Sequence, residues 1–252
     1  MKQLIFTIFI LISTFLNWMS AISLPNEELK YKVTYKWGLI HTQAGRATLS
    51  LLNDGTRYKS TLIARTETWA DRIYKVRDTL YSEMTLDFIP TKYVKSANEK
   101  GKYVRDQIDY IVVGNNFTGI CSRYRIKKGD TDFSTEGKTL SATGTTVDML
   151  SVFYHLRTLD FPSMKLGETK TINIFSGKTK ELLNIKYEGI KTVNIDDKKY
   201  STYHVSFKFT SEDGKKSSDD IDTWISADNR RIPIKLEGSL PIGKIRCLYI
   251  GG

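Results

Sequence analysis

Nearly everything after the N-terminus of this chain alternates like half-buried strands, and the segment MLSVFYHLRTLDF, residues 149 to 161, does not. At about 100° per residue, Asp148, Ser151, His155 and Thr158 fall on one narrow polar seam, while Met149, Leu150, Val152, Phe153, Tyr154 and Leu156 fill the remaining surface. A helix on a protein surface buries a single stripe. An apolar arc this wide must be gripped from more than one side, since each large side chain kept from water is worth about 1.5–3 kcal/mol. Thr145-Thr146-Val147-Asp148 supplies an N-cap with an acid three residues on, and Pro162 marks the stop. The spacing predicts a buried helix over about 146–159 that plugs a barrel, fills a concave sheet or lies between two β-lobes.

Almost everything else alternates with period two. In ELKYKVTYKW, residues Leu29, Tyr31, Val33, Tyr35 and Trp37 share a face against Lys30, Lys32, Thr34 and Lys36, the pattern of an antiparallel sheet with one wet face. Asn53-Asp54-Gly55 and Lys100-Gly101 read as hairpin turns. A helical turn is expected near Trp69 to Tyr74, and KGDTDFSTEGKTLSATG reads as a polar connection. The fold class is therefore mainly β: a curved antiparallel sheet or barrel-like domain of about 12–14 strands with one buried helix. A two-lobed β-sandwich, with lobes at 24–140 and 165–252 joined through the helix, is the alternative. No helices alternate with the strands, which excludes βαβ architecture.

Met1-Lys2-Gln3 followed by the apolar run Leu4 to Leu16, with Ala21 and Ser23 behind it, predicts a signal peptide over 1–23 and one β-rich domain over 24–252. The protein is thus expected to be exported, periplasmic or secreted after cleavage near Ser23. The net charge of +10 would suggest nucleic acid in a cytosolic protein. For an exported one the expected anionic partners are lipid head groups or glycans, with peripheral membrane contact, and not nucleic acid. Cys121 and Cys247 are the two cysteines; in an oxidising compartment they either form a disulfide or serve as small buried hydrophobes.

The chemistry-bearing residues are sparse. His41, His155 and His204 are scattered, and neither H-E-x-x-H nor C-x-x-C occurs, so no metal or cofactor is expected. Asp219, Asp220 and Asp222 lack calcium-loop spacing. Ser151, His155 and Asp148 line up on the helix seam. Helix amides cannot form an oxyanion hole, however, and no G-x-S-x-G elbow is present, so no catalytic residues are assigned. Arg157 interrupts the apolar arc and must snorkel or meet a carboxylate. Arg123, Arg125 and Lys127, followed by Lys128, form a stripe suited to anion contact or to guarding a sheet edge.

LSVFYHLRTLDF, the earlier FIPTKY and the later TWISADNRRIPIKLEG together resemble the exported bacterial family catalogued as domain of unknown function 3108, common in Bacteroidota. The resemblance extends from ELKYKVTYKWG to GKIRCLYI. It implies a secreted or periplasmic β-rich protein and carries no activity or site residues with it. The expected role is a non-enzymatic binding protein of the cell envelope holding an apolar or lipid-like ligand in a β-concavity, an analogy of shape. Tyr35, Trp37, Phe153, Tyr154, Arg157 and Trp224 are the candidate ligand-binding residues, with Tyr31 as a further aromatic on the same strand face. The alternative is a structural or assembly factor that binds an envelope protein or glycan through its basic surface.

Overall fold

A computed structural model describes residues 23–38, 40–99, 101–129, 132–211, 215, 220–239 and 243–252. The expected signal peptide lies outside these residues except for Ser23. Among the described residues fifteen strands form one sheet: β1 Glu27–Trp37, β2 Ile40–Asn53, β3 Tyr58–Thr66, β4 Val76–Met84, β5 Pro90–Glu99, β6 Lys102–Val113, β7 Asn116–Ile126, β8 Phe133–Thr143, β9 Thr146–Asp148, β10 Thr169–Ser176, β11 Thr179–Ile195, β12 Lys198–Thr210, β13 Ile221–Ser226, β14 Pro233–Ser239 and β15 Lys244–Gly251. Two helices accompany them, α1 Thr68–Tyr74 and α2 Ser151–Thr158, with a 3-10 turn at Phe161–Ser163.

The sheet order is β8-β7-β6-β5-β4-β3-β2-β1-β15-β14-β13-β12-β11-β10-β9. The pairing is antiparallel throughout except between β9 and β10. The two edge strands, β8 and β9, are consecutive in the chain and joined only by Gly144 and Thr145. The sheet therefore curls until its edges meet, and a nearly closed barrel results. Closing removes most of the unpaired strand edge that an open sheet of this width would expose.

The seam is built from small residues. Gly119 on β7 faces the Phe175 ring of β10, and a Cβ at Gly119 would come 2.8 Å from Phe175 Cδ2. Beyond it, Asn173 Nδ2 donates to the Thr143 carbonyl at 3.0 Å, and Lys178 pairs with Glu136. Gly119→Ala is expected to destabilise the fold by about 1–3 kcal/mol, the range for overpacking a filled site. Urea unfolding measures this, and an unchanged midpoint would show that Phe175 yields without cost.

The polar stretch expected to be a connection is β8 instead. Its first seven residues, 133–139, are exposed, yet β7 offers a full row of backbone partners from Ile126↔Phe133 to Asn116↔Thr143. Thr and Ser residues sit comfortably in such a ladder.

The helix begins later than the spacing predicts. Thr146, Val147 and Asp148 form β9, in parallel register with Asn173, Ile174 and Phe175, and the helix starts at Ser151. Asp148 causes the turn: its Oδ1 accepts the N–H groups of Leu150 and Ser151, both at 2.7 Å, so the cap comes from Asp148 and not from Thr145. The helix also ends before Pro162, which lies in the 3-10 turn. As the wide apolar arc requires, α2 runs inside the barrel between two core clusters. Leu150 and Tyr154 pack with Leu29, Tyr58 and Met84 on one side. Val152 and Leu156 pack with Ile174, Val205 and Ile225 on the other.

Candidate functional site

The strand directions give the barrel two ends. The N-terminal ends of β1 and β3 and the turns at 85–89 and 227–232 lie at the end that α2 occupies; α1 and the turns after β5 and β7 lie at the other. Arg157 fixes the plug at its end. It is 1 % exposed and forms a two-pronged ion pair with Glu27 at the start of β1, whose side chain is itself 5 % exposed. It also donates to the Arg230 carbonyl at 2.8 Å. Arg231 donates to the Leu159 carbonyl, where the helix ends, and stacks over Phe161 and Tyr203. Two of the segments that carry the family resemblance, LSVFYHLRTLDF and TWISADNRRIPIKLEG, thus meet in space.

Tyr154 completes the plug. Its ring continues a stack from Tyr58 through Phe88, and its hydroxyl meets Ser60 Oγ at 2.7 Å. The polar seam of the helix is not a solvated face. Ser151 and Asp148 are fully buried, the Ser151 hydroxyl accepts the Asp148 N–H at 2.8 Å, and Ser82 donates to Asp148 Oδ2 at 2.8 Å. Burial raises the Asp148 carboxyl above its ordinary value against the pull of these bonds. Burial, with Lys170 adding to it, lowers the His155 imidazole from 6.5 to about 4.

His155 therefore makes the fold acid-sensitive. Between those two values the unfolded chain holds more protons than the folded one, so stability falls as pH is lowered from 6.5 towards 4. The loss amounts to about 3 kcal/mol at most. His155→Gln is expected to flatten that part of the profile, read by thermal melts across the window; parallel wild-type and variant curves would remove His155 as the cause.

Above α2 the barrel is hollow. A cavity of ≈ 340 Å³ is bounded by β1 to β3, β14 and β15, with Phe153 of α2 and Val76 of β4 also contributing. It exists because inward positions on adjacent strands are small: Gly45, Ala47 and Ala64 line it, Ala47 lying in register with both Ala64 and Tyr31. Val33, Leu62, Leu236 and Ile245 add apolar wall, and Arg46, Arg65 and Thr66 also border it. The Tyr31 hydroxyl is buried with no hydrogen-bond partner, as are the hydroxyls of Thr34, Tyr93 and Tyr110 and Arg157 Nε. Burial drives the Tyr31 hydroxyl well above its ordinary pKa, with the Arg157 charge opposing, so it stays protonated and able to donate.

Of the residues expected to bind ligand, Phe153 lines this cavity, and Tyr35 lies in register with the cavity-lining Ile245. Tyr154 and Arg157 are committed to the plug. Trp224 is in register with His204 and Lys235. It stacks on the His204 ring at 4.6 Å with the Lys235 ammonium 3.9 Å from its centroid, on the sheet face opposite Leu236. The side chain of Trp37 lies outside the described residues.

Cys121 and Cys247 are free thiols. They sit on β7 and β15 with six strands between them in sheet order, and no disulfide joins them. Cys121 is core. Cys247 lines the cavity, and burial pushes its thiol up to about 11.

The basic stripe divides. Arg123 and Arg125 face a concavity beside Tyr74 of α1, whereas Lys127 and Lys128 sit exposed on the turn after β7. That strand is interior, paired to β6 and β8, so the stripe guards no edge. Asp220 pairs with Lys208 and Asp222 with His204; Asp219 lies outside the described residues. Among the described residues no group of His, Cys, Asp or Glu could hold a metal ion.

Comparison with known proteins agrees with this architecture. Residues 30–248 match the family described as Protein of unknown function (DUF3108). The crystal structure of a β-barrel-like protein of domain of unknown function DUF1849 from Brucella abortus superposes with a TM-score of 0.61 at 11 % identity, covering 91 % of this chain and 98 % of that one. That likeness is one of fold. No curated protein matches the sequence.

Proposed function

The chain belongs to the DUF3108 family, whose function is unknown, and from the barrel it forms we propose a binding protein of the cell envelope that holds an apolar, lipid-like molecule in the cavity above α2. The observation that carries this reading is an apolar hollow opened by small inward residues, Gly45, Ala47 and Ala64, inside a nearly closed barrel. Pockets for small ligands combine a mostly apolar wall with few polar groups. The floor is fixed by the Arg157–Glu27 pair, so little ordering remains to oppose binding.

The full chain, purified without detergent, is expected to retain lipid in native mass spectrometry and to bind the neutral dye N-phenyl-1-naphthylamine after delipidation. Ala64→Phe fills the hollow and is expected to abolish dye binding in a protein that still melts cooperatively. A wild type that neither carries lipid nor binds dye overturns the reading.

The second reading, an assembly factor that binds an envelope protein or glycan, is favoured by one feature. Helix α1 exposes Trp69 and Ile73 at the open end of the barrel. A protein or glycan recovered at fixed stoichiometry in place of lipid decides for it.

A further inference from the structure

A second hollow, of ≈ 360 Å³, lies on the β5–β7 side of the same open end. Its chemistry is opposite to that of the first. Lys95 of β5, Lys102 and Asp106 of β6, Arg123 and Arg125 of β7 and Tyr74 of α1 face it. Asp106, 5 % exposed, is consumed by Arg123, which grips both carboxylate oxygens at 2.5 and 2.7 Å. Lys95, Lys102 and Arg125 are left without a carboxylate partner among the described residues, and Lys95 and Arg125 are half-buried. Three unpaired cations in one concavity repel one another, and low-dielectric walls strengthen the field they project.

This concavity is held in place by the barrel seam. The β10–β11 turn seats on the Asp106–Arg123 fork: Gly177 has φ +61°, and a Cβ there would meet Asp106 Oδ2 at 2.7 Å and Arg123 Nη2 at 2.8 Å. Arg123 is therefore held still, and beside it Arg125 keeps its own fork free for a planar or tetrahedral anion.

The two hollows are neighbours. The apolar cavity extends to Val76 of β4, while the cationic one begins on β5, the adjacent strand, with Asp78 in register with Ala97. Helix α1 bridges them, with Thr66 and Val76 at its two ends on the first and Tyr74 on the second. An amphiphile with its tail among Leu62, Ala64 and Val76 would pass over Leu80, in register with both Leu62 and Lys95, so that its head meets Lys95 two strand spacings from Leu62, about 10 Å, with Arg125 two strands further on.

Resting on the apolar-cavity reading, we propose that the ligand is an anionic amphiphile, bearing a phosphate or carboxylate head that Lys95, Lys102 and Arg125 bind beside the fixed Arg123. The charge of the head selects the ligand, and the tail supplies most of the affinity.

The test displaces N-phenyl-1-naphthylamine from the delipidated full chain, using lysophosphatidylglycerol and lysophosphatidylcholine of equal chain length below their micelle concentrations. The anionic lipid is expected to compete about tenfold better, in keeping with charge-assisted bonds to its phosphate, and high salt is expected to shrink that preference. Lys95→Gln combined with Arg125→Gln should bring the ratio near one while leaving the neutral dye bound as in wild type. Arg125→Lys should retain part of the preference, which separates lost charge from lost fold. Equal competition by the two lipids, with dye binding intact, overturns this proposal and leaves the cavity reading standing. No dye binding at all overturns the cavity reading itself. Inorganic phosphate that binds the cleft while the two lipids still compete equally would assign the cations to a free anion and overturn the amphiphile.

Discussion

Arg157→Met is expected to lower the unfolding free energy by about 3–5 kcal/mol, the cost of leaving a buried charge without its partner. The stranded group is Glu27, whose side chain is 5 % exposed and whose carboxylate would face the apolar plug. The Arg230 carbonyl loses its donor as well. Pairing the change with Glu27→Leu should recover most of the loss, because the protein then buries neither ion. The double variant could equal the wild type, since well-packed apolar residues often match a buried pair. Urea unfolding of the four proteins forms a complete cycle. A single variant within about 0.5 kcal/mol of wild type, the range of ordinary surface changes, would mean that water reaches Glu27 and that the plug is looser than its burial indicates.

The same pair shows what could be read in the sequence. Arg157 on an apolar arc announced a need for a partner, but nothing local pointed to Glu27, 130 residues away. Alternation in ELKYKVTYKW correctly set Leu29 and Tyr31 facing inward, because period two is a property of one strand alone. The width of the arc on α2 correctly demanded packing on both sides. Its boundary was misplaced because Asp148, which reads as a third-position acid, is itself the capping group.

The cavity was not legible for a different reason. It comes from Gly45, Ala47 and Ala64 falling side by side, which depends on the register of β2 against β3. Small residues spread over two strands leave no mark in either one's periodicity. The free thiols follow from the same limit: which strands carry Cys121 and Cys247, and where each side chain faces, depends on the sheet order and not on chain spacing. The cationic hollow did leave a trace. Lys95 shares a strand face with Tyr93 and Ala97, both buried, and a charge on an inward face marks a site more surely than the basic run after it.

Leu150→Ala and Phe153→Ala, three residues apart on α2, are expected to differ both in cost and in consequence. Leu150 is fully buried in the larger core cluster, so its truncation leaves a void and should cost about 2.7–5 kcal/mol. Phe153 is half-buried because part of its ring already faces the hollow. Removing it enlarges an existing cavity instead of creating a new one, and it should cost less than the about 3–5 kcal/mol typical of a sealed aromatic. A deeper cavity also admits a longer chain. Phe153→Ala should therefore shift preference towards longer acyl probes and gain more thermal stability from them than wild type does, as mass action requires of any ligand bound only by the folded state. Leu150→Ala should show no such shift, because its void lies beneath the plug and away from the cavity wall. Equal destabilisation of both variants, with chain-length preference unchanged in each, would mean that Phe153 is ordinary core and that the hollow above it receives nothing.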